Sequence, residues 1–439
     1  TMNFTVAIVG RPNVGKSTLF NRIIGRRISI VHDKPGVTRD RIYGKADWNG
    51  KKFTIVDTGG IETLTNDVIL NQMKRQADFA IETADVILFM VDGKDGLTPQ
   101  DEDVAQLLRK SGKPILLVVN KVDNYTRISH HYEFFKLGFG EPIFISATHG
   151  TAVGDLLDKI TEFIKDDTQN DDDDIIKIAV AGKPNVGKSS LVNAILGEER
   201  AIVSNIPGTT RDAIDTSFEA YGKKMVIIDT AGMRRKSRVK EDVEYYSNVR
   251  AITAIEQADI VLIVIDATTD ITEQDKKVAG LAHDAGKASI FVINKWDLVE
   301  KDENTINRYR QNIRNEFIFM QYAPMIFVSA KTGQRVERIL ELINFVMDQY
   351  TFRVKKRLLN ELVREATLMV EPPSIKGRKL KIYFATQTGI KPPTFSFFIN
   401  DRKLFHFSYM RYLENRLRET FGLEATPIII KSREKEASR

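Results

Sequence analysis

The sequence predicts an α/β protein: two consecutive P-loop domains, each a mixed, mostly parallel six-stranded sheet flanked by helices, followed by a small α+β domain. Three observations predict it. A series of motifs occurs twice in the same order, short apolar runs alternate with helix-length amphipathic segments, and the segment from Thr351 to Arg439 differs in charge from everything before it.

The repeat organises the chain. GRPNVGKSTLFNRIIG at Gly10 to Gly25 returns as GKPNVGKSSLVNAILG at Gly182 to Gly197, an offset of 172 residues. PGVTRD at Pro35 returns as PGTTRD at Pro207, and DTGG at Asp57 returns as DTAG at Asp229, both at that offset. NKVD at Asn120 returns as NKWD at Asn294, and SAT at Ser146 as SAK at Ser329, with offsets of 174 and 183. One plan is therefore used twice, with small insertions late in the second copy. Between the copies lies DDTQNDDDD, Asp166 to Asp174, whose close-spaced aspartates repel one another and suit a solvated linker. The expected domains are 1–165, the linker 166–174, 175–350, and 351–439.

Within each copy, Val86 to Val91, Ile115 to Val119, Ile260 to Ile265 and Ile290 to Ile293 are continuous apolar runs, the mark of strands buried on both faces. Ile42 to Trp48, then Asn49-Gly50, then Lys52 to Val56 reads as a hairpin, so one strand should run antiparallel.

A chain of 439 residues with 42% hydrophobic and 28% charged residues is ordinary for a globular protein, so composition leaves both enzyme and binding module open. The absence of cysteine excludes disulfides, thiolate metal sites and cysteine nucleophiles. No apolar stretch of about 18 residues could span a bilayer. Thr1 and Met2 lead directly into the strand-like Phe4 to Val9 without a basic segment and apolar core of a leader, so a cytoplasmic protein without membrane contact is expected. The six histidines are scattered and join no constellation.

GxxxxGK[ST] after a strand and before a helix is the context of a phosphate-binding loop. Asn13, Val14, Gly15, Lys16, Ser17 and Thr18 form it in the first copy, and Asn185, Val186, Gly187, Lys188, Ser189 and Ser190 in the second. The glycines let backbone N–H groups face phosphate oxygens, Lys16 or Lys188 reaches the β and γ oxygens, and Ser17 or Ser189 binds Mg²⁺. Asp57 and Asp229 end apolar strands, where a carboxylate can hold the magnesium shell. Gly60 and Gly232 can present a backbone N–H to the γ-phosphate. Thr38 and Thr210 stand in polar loops suited to capping Mg²⁺ and sensing that phosphate. Any one of these motifs alone would be a turn or a cap; their order, twice over, makes them a site.

Guanine is the expected base. An ionised Asp123 or Asp297 can accept from both N1–H and the 2-amino group, a donor pair that adenine lacks. Asn120 and Asn294 would brace the site, the stems of Lys121 and Lys295 would cover the base, and the N–H of Ala147 or Ala330 would face the guanine oxygen beside Ser146, Ser329 and Lys331. Together the motifs predict a Mg²⁺-dependent GTP hydrolase that uses GTP and releases GDP at two sites.

These residues resemble the translation-factor-like GTPases, and the tandem arrangement resembles the Der (EngA) family of bacterial double-Era-like GTPases over essentially the whole chain. The resemblance implies a KH-like C-terminal domain and a nucleotide-dependent role, as a monomer, in assembly of the large ribosomal subunit on its rRNA, with no DNA partner. Ile61 and Met233 follow the DxxG glycines where many GTPases place a water-orienting glutamine. Relatives with an apolar residue there use a K⁺ ion held partly by a P-loop asparagine. Asn13 and Asn185 match that position, which implies K⁺-stimulated hydrolysis. Other readings are a nucleotide-binding scaffold with one poorly hydrolysing domain, or a GTPase serving tRNA modification; relatives of the latter kind carry a cysteine and a cofactor domain that this chain lacks.

From Thr351 onward, 19 basic and 9 acidic residues give a net charge of +10, against −4 for the remainder, which suits a polyanionic partner. A helix with Val354, Leu358, Leu359, Leu362, Val363 and Ala366 on one face, strands Leu380 to Ala385 and Thr394 to Ile399, a helix bearing Leu413, Leu417 and Phe421, and a strand Thr426 to Ile430 are expected. That order is compatible with a KH-like module, although the GxxG clamp is missing, so RNA would be met elsewhere or the domain would dock on the others. Phe395, Phe397, Phe398, Phe405, Phe407 and Tyr409 are read as core rather than base-stacking residues. Arg378, Lys379, Lys381, Arg402, Lys403, Arg411, Arg416 and Arg418 are the candidates for RNA phosphate contact. Arg234, Arg235, Lys236, Arg238 and Lys240 follow DTAG and are a second, switch-linked basic run.

Overall fold

A computed structural model describes residues 4–25, 43–61, 69–122, 131–164, 175–198, 201–203, 215–228, 251–375 and 377–434. The chain parts into two compact units between residues 170 and 171. No helix among the described residues is long and apolar enough to cross a membrane.

In the first unit, β1 (Phe4–Val9), β2 (Tyr43–Trp48), β3 (Lys51–Asp57), β4 (Val86–Asp92), β5 (Ile115–Asn120) and β6 (Ile143–Phe144) form one sheet in the order β2-β3-β1-β4-β5-β6. All seven residues of β4 are buried, as its unbroken apolar run requires of a strand covered on both faces. Only β2 runs antiparallel to its neighbour. Asn49 and Gly50 turn the chain there with φ of 51° and 81°, the left-handed pair that a two-residue hairpin needs. The parallel register sets Asp57 beside Ile8 and Asn120 beside Asp92. Three polar strand ends thus gather at the carboxyl edge of the sheet, where open α/β sheets bind ligands. Helices Lys16–Gly25 and Val153–Glu162 bury Leu19, Phe20, Leu156 and Ile160 against one face.

The second unit repeats this plan. Its strands are β7 (Ile175–Ala181), β8 (Ile202–Val203), β9 (Thr216–Ala220), β10 (Lys223–Ile227), β11 (Ile260–Asp266), β12 (Ala288–Asn294) and β13 (Met325–Phe327). The sheet order is β13-β12-β11-β7-β10-β9-β8, in which β8 adds a two-residue edge to the six expected strands. The β9/β10 turn is made by Tyr221 and Gly222 at φ of 53° and 72°. Tyr221 occupies the place of Asn49, so the hairpin carries no Asn-Gly signal and is visible in the sequence only through the repeat.

The rest of the second unit follows the expected helix-strand-strand-helix-strand order. Helix Lys356–Met369, β16 (Ile382–Gly389), β17 (Thr394–Ile399), helix Phe407–Phe421 and β18 (Ile429–Glu434) build it, after a small pair β14 (Ser374–Ile375) and β15 (Arg378–Lys379). β17 lies between an antiparallel β16 and a parallel β18. Leu359, Leu362, Val363 and Ala366 pack with Phe395, Phe397, Phe405 and Tyr409 in one core. Phe398 stacks on Phe384 with centroids 4.2 Å apart. Two expectations fail here: Phe407 and Leu358 are exposed, at 63% and 47%. Leu358 lies on the flank of the helix stripe, beyond the reach of a three-stranded sheet.

This part also docks on the preceding sheet domain. Ala425 N–H donates to Gln349 Oε1 at 2.7 Å, Lys391 N–H donates to the Tyr350 carbonyl at 3.0 Å, and Lys391 Nζ lies 3.2 Å from Asp259. Within the sheet domain itself, Tyr350 Oη donates to the Gly286 carbonyl at 2.9 Å. Burial pushes the Tyr350 phenol well above its ordinary range, so it stays a neutral donor.

Candidate guanine-nucleotide sites

Each phosphate loop runs from a buried strand into a helix through two left-handed residues. Asn13 and Gly15 have φ of 64° and 100°, and Asn185 and Gly187 have 64° and 95°. A Cβ at Gly15 would stand 2.3 Å from Asn120 Nδ2, and one at Gly187 would stand 2.3 Å from Asn294 Nδ2. The loop can therefore close on the asparagine only if those positions are glycine. Val14 and Val186 bury their side chains in the two cores. Asn13, Ser17, Thr18, Asn185, Ser189 and Ser190 are exposed at the mouths of the loops.

The lysine ammonium groups are fixed by backbone carbonyls. Lys16 Nζ donates to Gly10 and Arg11 at 2.7 and 2.8 Å, and Lys188 Nζ to Gly182 and Lys183 at 2.8 and 2.7 Å. Ser17 Oγ donates to Asp57 Oδ2 at 2.5 Å, while Asp57 Oδ1 accepts the N–H of Gly59 at 2.9 Å. A serine hydroxyl beside a buried carboxylate is a hard-oxygen pair of the kind Mg²⁺ selects. Ser17 and Asp57 would hold the ion there, and its charge would neutralise phosphate oxygens. Gly60 and Ile61 close the short 3₁₀ turn Thr58–Ile61 that follows Asp57.

At the base end, Asn120 donates from Nδ2 to the Val14 carbonyl at 2.7 Å and accepts the Ala147 N–H on Oδ1 at 2.9 Å. Asn294 repeats this with Val186 and Ala330 at 2.8 and 3.0 Å. The N–H groups of Ala147 and Ala330, expected to face the guanine oxygen, are thus placed in the brace around the asparagine. The reason is geometric: the turn after Ser146 or Ser329 passes close enough to satisfy the amide's second edge.

Asp297 ionises more readily than an ordinary aspartate, chiefly because the Ser329 hydroxyl bonds its carboxylate, with Lys331 and Lys301 adding positive potential. An ionised acceptor at this place is what the two guanine donors require. Lys121 and Lys295 stand in left-handed backbone, φ of 68° and 61°, a conformation costly for lysine and characteristic of working sites.

Sequence reasoning missed what holds those lysines. Lys121 Nζ lies 2.6 Å from Asp92 Oδ2, and Lys295 Nζ 2.5 Å from Asp266 Oδ2. Burial alone would raise both carboxyls, but the lysine bonds and local N–H groups outweigh it and lower them. The signal was present: Asp92 and Asp266 each end a buried strand at the 174-residue offset of the NKxD motifs.

Thr38, Asp123, Thr210, Asp229, Gly232 and Met233 lie outside the described residues, as do the linker aspartates and the run from Arg234 to Lys240. In the basic tail, Arg378, Lys379, Lys381, Arg402, Lys403 and Arg411 are exposed. Asn400 ties two of these stretches together, accepting the Lys381 N–H at 2.9 Å and donating to the Lys379 carbonyl at 2.9 Å. Lys379 pairs with Glu371, and Arg416 pairs with Glu419 at 3.1 Å. Arg418 is engaged inside the unit: it bonds Glu414, the carbonyls of Leu423 and Thr426, and lies 5.6 Å over the Tyr322 ring.

A family profile described as 50S ribosome-binding GTPase matches residues 5–121 and 177–295. One described as the KH-domain-like C-terminal part of EngA bacterial GTPase enzymes matches residues 353–433. GTPase Der of Ruminiclostridium cellulolyticum is 60% identical over 435 residues, spanning 98% of this chain and 99% of that protein. GTPase Der of Acetivibrio thermocellus is 59% identical over 433 residues, spanning 98% of each. Among solved structures, the FeoB G-domain from Methanococcus jannaschii is 26% identical and is matched over 38% of this chain and 100% of its own, with a TM-score of 0.29.

Proposed function

Because the chain belongs to the GTPase Der family, and is thereby a P-loop GTP hydrolase with two G domains and a KH-like domain, we propose that it is a nucleotide-dependent switch in assembly of the large ribosomal subunit. The observation that carries the switch is the Asp57 carboxylate, shared between Ser17 of the phosphate loop and the N–H of Gly59. Metal and γ-phosphate at Ser17 and Asp57 bear directly on the turn Thr58–Ile61, so losing the γ-phosphate changes what that turn can bond. Thr38 and Thr210 complete the metal shells, Gly60 and Gly232 meet the γ-phosphate, and Asp123 reads guanine as Asp297 does.

The working division is 1–165, 166–174, 175–350 and 351–439, in a monomer that works in the cytoplasm on the ribosome. Its RNA-facing surface is formed by Arg378, Lys379, Lys381, Arg402 and Lys403, which Asn400 holds together, with Arg411 and Arg416 alongside. With an apolar residue at 61 and 233, K⁺ near Asn13 and Asn185 adds positive charge to that of Lys16 and Lys188.

Co-sedimentation with purified ribosomal subunits in GTP analogue and in GDP tests the switch. Nucleotide-dependent pelleting with the large subunit is expected; equal pelleting in both nucleotides, or with the small subunit alone, refutes it. Hydrolysis rates in KCl and NaCl test the K⁺ site, and equal rates remove it.

A further inference from the structure

The loops that follow β4 and β11 carry a second repeated constellation, which the nucleotide chemistry above leaves unused. Helices Pro99–Lys110 and Glu273–Asp284 begin with capping boxes, Thr98 with Asp101 and Thr272 with Asp275. One carboxylate oxygen suffices for the box: Asp101 Oδ2 accepts from Thr98 N and Oγ1 at 3.0 and 2.8 Å, and Asp275 Oδ2 from Thr272 at 2.9 and 2.7 Å. The other oxygen, Oδ1, is buried without a hydrogen-bond partner in both. The side chains are 0% and 1% exposed. A cap works at the surface, so a fully buried, half-satisfied carboxylate needs another reason.

The charge that offsets each buried carboxylate comes from the second residue of each phosphate loop, and it faces Oδ2, the oxygen that also serves the box. Lys183 Nζ lies 3.1 Å from Asp275 Oδ2, while Arg11 Nε faces Asp101 Oδ2 at 3.6 Å as an ion pair without a hydrogen bond. Arg11 also donates to the Gly96 carbonyl at 3.2 Å, and Lys183 to Thr269 Oγ1 at 3.2 Å. The backbone carbonyl of Arg11 or Lys183 is one of the two that hold the ammonium group of Lys16 or Lys188, beside that of Gly10 or Gly182. The same loops start at Asp92 and Asp266, which hold Lys121 and Lys295 at the base end.

We propose that Asp101 and Asp275 are positioning residues for GTP hydrolysis: each anchors the second residue of its phosphate loop, whose carbonyl aims the P-loop lysine at the β and γ oxygens. The stretches 92–101 and 266–275 are then straps that keep the phosphate and base ends in register. Arginine serves in one copy and lysine in the other, so each is the conservative replacement for its counterpart. The inference rests on the reading of the two loops as GTP sites.

The test uses the full chain with the first site silenced by Lys16→Ala, read by single-turnover hydrolysis at saturating GTP, GTP affinity and thermal midpoint. Lys183→Met and Asp275→Asn are expected to slow the chemical step on the order of tenfold to a hundredfold, as small misplacements do, and Lys183→Arg to restore it. The double variant Lys183→Met, Asp275→Asn strands no ion, which keeps the fold comparable to wild type, and it is expected to stay slow. A double variant that is as fast as the parent overturns the proposal, as does a lowered midpoint with unchanged rate. A parent that neither binds nor hydrolyses GTP at the second site overturns the site reading itself and the anchor with it.

Discussion

Asn294 donates to the carbonyl of Val186, 108 residues earlier in the chain, at 2.8 Å, and both groups are buried. The same amide accepts the Ala330 N–H, so one side chain joins the phosphate loop, the base-reading loop and the turn after Ser329. Asn294→Ala leaves the buried Val186 carbonyl and the part-buried Ala330 N–H without these partners, at a cost of about 1–3 kcal/mol for the buried group and less for the other. The nucleotide-free chain should melt earlier, and the second site should lose GDP affinity in calorimetric titration. An unchanged midpoint would show that the brace is dispensable.

Gly187→Ala should empty the second site without unfolding the domain. The new Cβ must enter a position with φ of 95° and approach Asn294 Nδ2 to 2.3 Å, so loop and asparagine have to separate. Gly15→Ala should do the same to the first site, through Asn120. Fluorescent GDP titration of each variant reads this directly, with one site lost in each case; retention of both sites would contradict the close approach.

The pH dependence follows from Asp266. Its folded-state carboxyl sits below the ordinary value of 3.8, because bonds from Lys295 and Thr268 outweigh the upward push of burial. A depressed group stabilises the fold fully above its unfolded value and loses that contribution as pH falls through the folded one. Acid denaturation should therefore include a component between those two values that Asp266→Asn removes. An identical acid profile for wild type and variant would refute it. Asp297 is shifted the same way, chiefly by the Ser329 hydroxyl, so Ser329→Ala should move the acid limb of GTP binding to higher pH.

Much of this was legible in the sequence, for physical reasons that differ by element. Val86 to Val91 is buried throughout and apolar without a break, so the strand showed itself. Gly15 and Lys16 are demanded by backbone geometry and phosphate charge, which admit few residue types. The turn at Tyr221-Gly222 was hidden, because a neighbouring glycine and a stable pair of strands tolerate a left-handed tyrosine. Asp92, Asp101, Asp266 and Asp275 were hidden for another reason. Each looks like a strand end or a helix cap, and only three-dimensional proximity reveals that its partner is a loop lysine or arginine. Arg418 was read as a surface charge, yet it bonds carbonyls of its own unit and covers Tyr322.

Single-turnover hydrolysis should separate the two sites. Lys16→Ala and Lys188→Ala each remove an ammonium group that two backbone carbonyls hold and that serves the phosphates in the proposed function. Each should reduce turnover at its own site by on the order of a hundredfold or more while leaving the other site active. A single substitution that silenced both sites would contradict independent chemistry.

Guanine recognition by Asp297, and by Asp123 in the first copy, is tested most directly by calorimetric competition between GTP and XTP on the chain carrying Asp123→Asn and Asp297→Asn. An asparagine amide can donate to the 2-oxygen of xanthine but cannot accept both guanine donors. The expected result is a loss of GTP affinity of roughly a hundredfold or more, with XTP now favoured; a chain that still prefers GTP would contradict it.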